Sequence, residues 1–202
     1  MKKGLILSAL LLALLSISIL SGCGGPYVRK DLEAVYKPKV QRVALLPFKN
    51  LETNPKASNA HIGLREGVYH ELKKKDMEFT SVIQPLAETD NRLSEAGLAA
   101  DNLGSKTAYD LGQILQVDAV VQGTSSKYEE KGKAGQWATL ILLGGAVGAE
   151  IICRINITDC SSQNLLWDWE LKQKGPFLSS PESVANQVGK KVAKKWPFKK
   201  KK

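Results

Sequence analysis

The chain has 202 residues and a mass of 22.0 kDa, enough for one ordinary domain with a hydrophobic core. Its 43% hydrophobic content excludes wholesale disorder, and its three cysteines and two histidines exclude a disulfide scaffold or a zinc module. The formal charge of +9 is unevenly placed, because eight lysines lie within residues 190–202 and two more lie at positions 2 and 3. The rest of the chain contains 19 basic and 20 acidic residues, so it is nearly neutral.

The first 22 residues have the pattern of a secretory signal peptide. Lys2 and Lys3 precede residues 5–20, which are apolar apart from three serines. A helix of this length would measure about 24 Å, whereas a membrane span requires roughly 20 residues, or about 30 Å. The pattern therefore predicts a cleaved signal rather than a permanent transmembrane helix.

The signal ends in Leu20, Ser21, Gly22 and Cys23, which resemble the lipobox of bacterial lipoproteins. The resemblance implies that the mature chain starts at Cys23, with a diacylglycerol on the sulfur and an N-acyl chain such as palmitate on the amine. No other cofactor is expected. Several acyl chains are enough for stable anchoring. Gly24, rather than Asp, implies the outer membrane, with the protein mainly facing the periplasm and surface exposure left open. The alternative is an ordinary signal peptide with an incidental cysteine.

Residues 23–39 are predicted to form the lipidated cysteine and a tether, because glycine and proline interrupt them and no periodicity is visible. The domain is predicted to begin with an apolar strand over residues 40–48. A helix should follow from Ser58 or Asn59. Its buried face is expected to contain Ile62, Val68, Tyr69 and Leu72.

The rest of the domain continues this alternation. The predicted elements are a strand at 79–83, helices at 85–97 and 106–116, a buried strand at 117–124, a hairpin at 154–159 and 165–172, and a last helix from Pro181. The order is β-α-β-α-α-β-β-β-α. We therefore predict a single α/β (α+β) domain with a mixed sheet over residues 40–180, followed by a basic amphipathic helix and tail at 181–202.

Three segments of the domain carry a recognisable pattern: V-A-L-L-P-F-K-N-L at 43–51, L-G-Q-I-L-Q-V-D-A-V-V-Q-G-T at 111–124, and R-I-N-I-T-D-C-S-S-Q-N-L-L-W at 154–167. Together they resemble a superfamily of bacterial envelope proteins. It includes the curli secretion channel CsgG, the amino-terminal domain of TolB and the penicillin-binding-protein activator LpoB. Poorly characterised surface lipoproteins of that superfamily are the nearest expected relatives. In the closing hairpin, Ser161, Ser162 and Gln163 take the place of the usual Thr-Gly pair.

Neither a metal site nor a catalytic site is predicted. His61 and His70 lie nine residues apart without further ligands nearby in sequence. Cys153 and Cys160 would be roughly 23 Å apart along one extended strand, whereas a disulfide needs Cα atoms within about 7 Å. They are therefore expected to remain unpaired within the chain, although Cys160 in an exposed turn could pair between subunits. Because no nucleophile or phosphate-binding motif is present, we expect no enzyme.

The segment from Trp137 to Ile152 is the most unusual part of the sequence. A run of four aliphatic residues, 140–143, would be apolar on both faces of a strand, which argues against the wall of a water-filled pore. We expect it to contact another subunit or lipid, the alternative being a simple place in the core. The residues predicted to make this contact are Trp137, Leu140, Ile141, Leu142 and Leu143.

The lysine-rich end is predicted to contact an anionic surface, either lipid head groups or cell-wall polymer. The lysines expected to do so are Lys194, Lys195, Lys199 and Lys200. Trp196 and Phe198 would sit at the membrane interface. The alternative is a solvated helix end with a disordered terminus. Nucleic acid is not expected as a partner, because the signal sequence directs the protein to the envelope.

Together these features predict a lipid-anchored outer-membrane lipoprotein that acts by protein–protein assembly. It would be a non-catalytic scaffold or accessory of a secretion or envelope-biogenesis machine. Its expected partners are outer-membrane lipid, other envelope proteins and further copies of itself in a homo-oligomer. Two alternatives remain: a ring-forming secretion channel of the curli type, and an activator of a peptidoglycan synthase.

Overall fold

The computed structural model describes residues 24–51, 59–130, 149–175 and 180–201 of the chain. The strands of this part are β1 (Tyr27–Val28), β2 (Arg42–Leu45), β3 (Lys49–Asn50), β4 (Val82–Ile83), β5 (Ala119–Glu130), β6 (Ala149–Asp159) and β7 (Leu165–Lys174). Its α-helices are α1 (Ala60–Lys73), α2 (Leu86–Glu95), α3 (Ala108–Leu115) and α4 (Pro181–Lys194). The nine predicted elements occur in the predicted order, and the fold class, one α/β domain with a mixed sheet, is confirmed.

All the described strands belong to one sheet in the order β1-β7-β6-β5-β2-β4, with β3 also paired to β5. The pairs β2–β4, β2–β5 and β3–β5 are parallel, whereas the pairs β5–β6, β6–β7 and β7–β1 are antiparallel. Residues 43–46 are all buried, as expected of a strand covered on both faces. β6 alternates buried and more exposed residues over 153–157, as expected of a strand with one open face.

The sheet separates two hydrophobic cores. On one face, α1 and α4 cover Val43, Leu45, Ile155 and Trp167, all of them fully buried. On the other face, α2 and α3 cover a smaller core that includes Val120. This second helical layer lies over β2 and β5, so the polar side chains of β6 and β7 remain on an open surface.

The two helices of the larger core approach each other through glycine. Gly67 of α1 lies against Ala185 of α4, and Gly189 lies against Gly67 and Glu71. Residue numbers rise in the same direction in both helices along this contact, because Gly67 meets Ala185 and Glu71 meets Gly189. The helices therefore run parallel, with their carboxyl ends at the same end of the molecule. A Cβ atom on Gly189 would lie only 2.3 Å from the Gly67 carbonyl oxygen, so glycine is required for this close approach.

A buried arginine connects α1 with the sheet and with α2. The Arg65 guanidinium donates from Nε and Nη2 to the Leu45 carbonyl oxygen, at 3.2 and 2.8 Å. It also donates two hydrogen bonds to the Asp90 carboxylate, at 3.0 and 2.7 Å. Because α1 and α2 lie on opposite faces of the sheet, Arg65 joins the two layers around the end of β2.

The segment predicted to be a tether is largely part of the fold, which corrects the expected boundary at residue 40. β1 pairs with β7, placing Tyr27 opposite Asp168. A π-helical turn over Leu32–Tyr36 then buries Leu32 and Tyr36 in the larger core. These residues are ordered by contacts with strands more than 120 positions away, which local sequence patterns do not reveal.

The C-terminal segment is also part of the fold, and the prediction that Trp196 and Phe198 face a membrane is wrong. Both side chains are buried, and Trp196 packs on the ring of Phe79 with centroids 6.1 Å apart. The Phe198 carbonyl accepts a hydrogen bond from the Thr80 amide at 2.7 Å. The chain after α4 therefore packs beside residues 78–80, which lead into β4.

Two local features differ from or refine the sequence analysis. Ile62 is half exposed rather than buried, because the buried side of α1 is formed by Leu64, Val68 and Leu72. In the β6–β7 turn, the Asp159 carboxylate accepts a hydrogen bond from the Ser162 amide, and Gln163 adopts a positive φ of 57°. Gln163 thus holds the left-handed conformation that glycine adopts most readily.

Candidate functional site

The predicted site residues fall into three groups. The anchor residues Leu20, Ser21, Gly22 and Cys23 lie outside the described residues, and so do Trp137, Leu140, Ile141, Leu142 and Leu143. The lysines at positions 194, 195, 199 and 200 are described. For the first two groups, the structure therefore describes only the residues that adjoin them in sequence. For the lysines, it describes the residues themselves.

The folded domain begins directly after the predicted anchor residue. The Gly24 carbonyl accepts a hydrogen bond from the Trp169 indole N–H of β7 at 3.1 Å. Gly24, Gly25 and Pro26 are the only residues between Cys23 and β1. The described chain therefore starts at the β1–β7 edge with Gly24, the residue that follows the predicted anchor in sequence. β1 leaves Tyr27 51% and Val28 46% exposed at this edge.

The predicted contact residues 137–143 lie in the connection between β5 and β6, whereas the end of the unusual segment, 149–152, belongs to β6, and Ile151 is part of the larger core. These strands pair from Ala119 opposite Asp159 to Glu130 opposite Ala149, with an irregularity between Ser125 and Lys127. The two ends of the connection therefore start from the tip of this hairpin. The segment is adjacent in sequence to the part of the sheet that lies farthest from the β6–β7 turn.

The open face of β6 and β7 carries paired charges. Arg154 donates two hydrogen bonds to the Asp168 carboxylate, at 2.8 and 2.7 Å. Glu150 contacts Lys172 at 3.1 Å and Lys174 at 3.5 Å. The basic partners are exposed, whereas the Asp168 and Glu150 side chains are largely shielded from solvent. Charges of both signs are therefore present on this face.

The lysines near the carboxyl end of α4 differ in their surroundings. Lys194 and Lys195 are exposed, and neither forms an ion pair with a carboxylate of the described residues. Lys199 Nζ donates to the Lys194 carbonyl oxygen at 2.7 Å, which satisfies a terminal carbonyl of the helix. The Lys200 amide donates to the Glu78 carbonyl oxygen while its side chain is exposed. Basic residues at this position also interact favourably with the helix dipole.

Both described cysteines are free and buried, on opposite faces of the sheet. The absence of an internal Cys153–Cys160 disulfide is confirmed. The expectation of an exposed Cys160 is wrong, because its side chain lies against Gly112 beneath α3. Burial raises the pKa of each thiol to about 12, which suppresses thiolate formation and hence reactivity.

Among the described residues, no three His, Cys, Asp or Glu side chains are grouped so that they could hold a metal ion. None of the helices described is both long and apolar enough to span a membrane. A surface groove of about 560 Å³ lies beside β4 and the π-helical turn. Its Glu33 carboxylate is paired with Lys37 at 2.9 Å and Lys201 at 3.7 Å, and the hydrogen bond from Lys37 lowers the pKa of Glu33. Two lysines thus share the single carboxylate of the groove lining, and both are engaged with it.

Sequence reasoning missed the contacts that hold residues 24–28 at the β1–β7 edge. Nothing in the local pattern of Tyr27 and Val28 distinguishes a two-residue strand from a tether. The Trp169–Gly24 hydrogen bond joins residues 145 positions apart. α1 contains Gly63 and Gly67, and α4 contains Gly189. A glycine inside an amphipathic helix can indicate close packing, but the sequence does not show that Gly67 and Gly189 meet each other.

No family model matches the chain, and no curated protein matches it. Among solved structures, it is similar to lipoprotein GNA1162 from Neisseria meningitidis, with a TM-score of 0.56 and 15% identity over 76% of this chain and 96% of that one. It is also similar to the PelC dodecamer from Paraburkholderia phytofirmans, with a TM-score of 0.51 and 13% identity over 80% of this chain and 90% of that one. The chain therefore shares its fold with these two proteins. At these identities the likeness concerns the fold alone.

Proposed function

We propose that this protein is a lipid-anchored outer-membrane lipoprotein that acts without catalysis, through protein–protein assembly in the cell envelope. It would serve as a scaffold or accessory of a secretion or envelope-biogenesis machine and would form a homo-oligomer. The observation that carries the proposal is the start of the folded domain at Gly24, directly after the cysteine of the lipobox-like sequence. A domain held this close to its anchor is suited to work at the membrane surface.

The lipid anchor is tested with Cys23→Ala. We expect this variant to lose incorporation of labelled palmitate and to leave the membrane fraction, or to stall before maturation. Cys160→Ala is the matched control, because it also removes a thiol but lies inside the domain. A Cys23→Ala protein that matured normally and stayed in the membrane fraction would contradict the anchor.

Assembly is tested at the segment between β5 and β6. Leu142→Lys should reduce the oligomer while leaving a folded domain, because a lysine cannot be buried in an apolar contact without a partner. Ile62→Lys is the control, since Ile62 is already half exposed on α1. The mass of each lipidated protein in mild detergent is measured by light scattering after size exclusion. An unchanged oligomer in Leu142→Lys would count against this contact.

A ring-forming secretion channel is the second candidate, favoured by the similarity to PelC, which crystallised as a dodecamer. The same mass measurement separates the candidates. A closed ring of many subunits supports the channel, whereas a monomer or dimer contradicts it. Activation of a peptidoglycan synthase across the cell wall has less support, because only three residues separate Cys23 from β1 and leave no long tether.

The anionic contact of Lys194, Lys195, Lys199 and Lys200 remains part of the proposal. Lys194, Lys195 and Lys200 have exposed side chains available for it, whereas Lys199 also bonds the end of α4. Lipid head groups are the closest anionic partners of a protein anchored at Cys23.

A further inference from the structure

The position of the anchor restricts which side of the domain can face the bilayer. The four Cα–Cα steps from Cys23 to Tyr27 span at most about 14 Å when extended, and Gly24 is already bonded to Trp169. Acyl chains on Cys23 enter the hydrocarbon region, so the β1–β7 edge is held next to the head groups. The domain could present another side only if β1 left the sheet.

The same side of the molecule carries unpaired positive charge. Gln173 of β7 donates to Gln187 of α4 at 2.7 Å, which places this side of the helix next to β7. Lys191 and Lys194 follow Gln187 by four and seven residues, so they lie on the same helical face. The opposite side of α4 is occupied by α1. Both lysines are exposed, and neither pairs with a carboxylate within the described part of the chain.

The edge itself combines apolar and aromatic groups. Tyr27 and Val28 are about half exposed, and Trp169 is partly buried with its N–H directed to Gly24. Aromatic side chains with a polar tip favour the boundary between head groups and acyl chains. The far edge of the sheet provides a comparison, because β4 exposes Val82 to 58% but lies five strand positions away, about 24 Å.

We propose that the β1–β7 edge, together with Lys191 and Lys194 of α4, docks on an anionic phospholipid bilayer and fixes the orientation of the domain on the membrane. This inference rests on the lipid anchor proposed above. The docking surface is thus formed by Tyr27, Val28, Trp169, Lys191 and Lys194. The β4 edge and the β5–β6 hairpin tip are left accessible to protein partners.

The test measures which edge of the lipidated, full-length protein contacts lipid. Single nitroxide labels are attached through Tyr27→Cys, Lys30→Cys and Val82→Cys, since the native thiols are buried and unreactive. Each protein is reconstituted into vesicles of phosphatidylethanolamine and phosphatidylglycerol. Flotation reports anchoring, and collision of the label with a water-soluble nickel chelate or with lipid-soluble oxygen reports its position. Circular dichroism verifies that each variant is folded. Positions 27 and 30, in β1 and just after it, are both labelled so that the test can still be made if one of these variants does not fold.

The expected result is that labels at positions 27 and 30 are protected from the chelate while the label at 82 is not. A floating protein in which label 82 is as protected as label 27, or more so, overturns the docking while leaving the anchor intact. A protein that does not float overturns the anchor and the docking together.

The charge contribution is tested with Lys191→Glu/Lys194→Glu. Each lysine near an anionic surface favours docking by roughly fivefold, so the loss of two should lower the ratio of docked to undocked protein roughly tenfold or more. The fall should vanish in vesicles of phosphatidylcholine alone. Lys106→Glu, exposed beside α3 on the other face of the sheet, is the control and should have no effect. If a label at the β1–β7 edge were equally protected from the chelate in the double variant and in the control, the role of the lysines would be overturned.

Discussion

The close contact between α1 and α4 predicts that Gly189→Ala destabilises the domain. The added Cβ would lie 2.3 Å from the Gly67 carbonyl oxygen and 2.8 Å from its carbon. A comfortable carbon–oxygen contact is about 3.3 Å or longer, so the helices must separate by about 1 Å. Overpacking of this kind typically costs about 1–3 kcal/mol, offset by about 1 kcal/mol because alanine favours a helix more than glycine does. We expect a net loss of up to about 2 kcal/mol.

Gly63→Ala is the matched control, because no atom outside its local backbone lies within 4 Å of a Cβ at that position of α1. It should gain up to about 1 kcal/mol from helix propensity alone. The helix-propensity gain is common to both variants, so they should differ by the overpacking cost of about 1–3 kcal/mol in the free energy of unfolding, measured by urea denaturation followed by circular dichroism. A Gly189→Ala protein as stable as Gly63→Ala would refute the helix contact.

Three further predictions concern side chains inside the domain. Gln163→Gly should stabilise the protein by about 0.5–1 kcal/mol, because a left-handed conformation is strained for glutamine; no rise in melting temperature would contradict this. Arg65→Met should cost about 2–3 kcal/mol in urea unfolding, since it leaves Asp90 and a strand-end carbonyl without their donor. Arg65→Lys should recover only part of that loss, whereas full recovery would show that the paired geometry is unimportant. In the lipidated protein, Cys153 and Cys160 should react slowly with Ellman's reagent at pH 8 and rapidly in denaturant, because burial raises both pKa values to about 12. Fast labelling of the native protein would contradict their burial.

The lysine-rich end illustrates how the functional surface depends on packing. In the sequence, Trp196 and Phe198 between lysines resemble a membrane-binding segment. In the structure, the two rings complete the larger core, and only the lysines face solvent. Local sequence shows the composition of a segment, whereas the available neighbours decide which of its side chains are buried.

The sequence by itself determined the order of nine strands and helices, the open and buried faces of β6, and the absence of an internal disulfide. These features depend on periods of two or 3.6 residues and on the short reach of the chain, which are local properties. Only the tertiary structure decided that residues 27–39 and 196–200 belong to the domain and that Gly24 is bonded to Trp169. Their burial depends on partners more than 100 residues away, such as Thr80 for Phe198, and such contacts form only when the whole sheet and its helices are assembled.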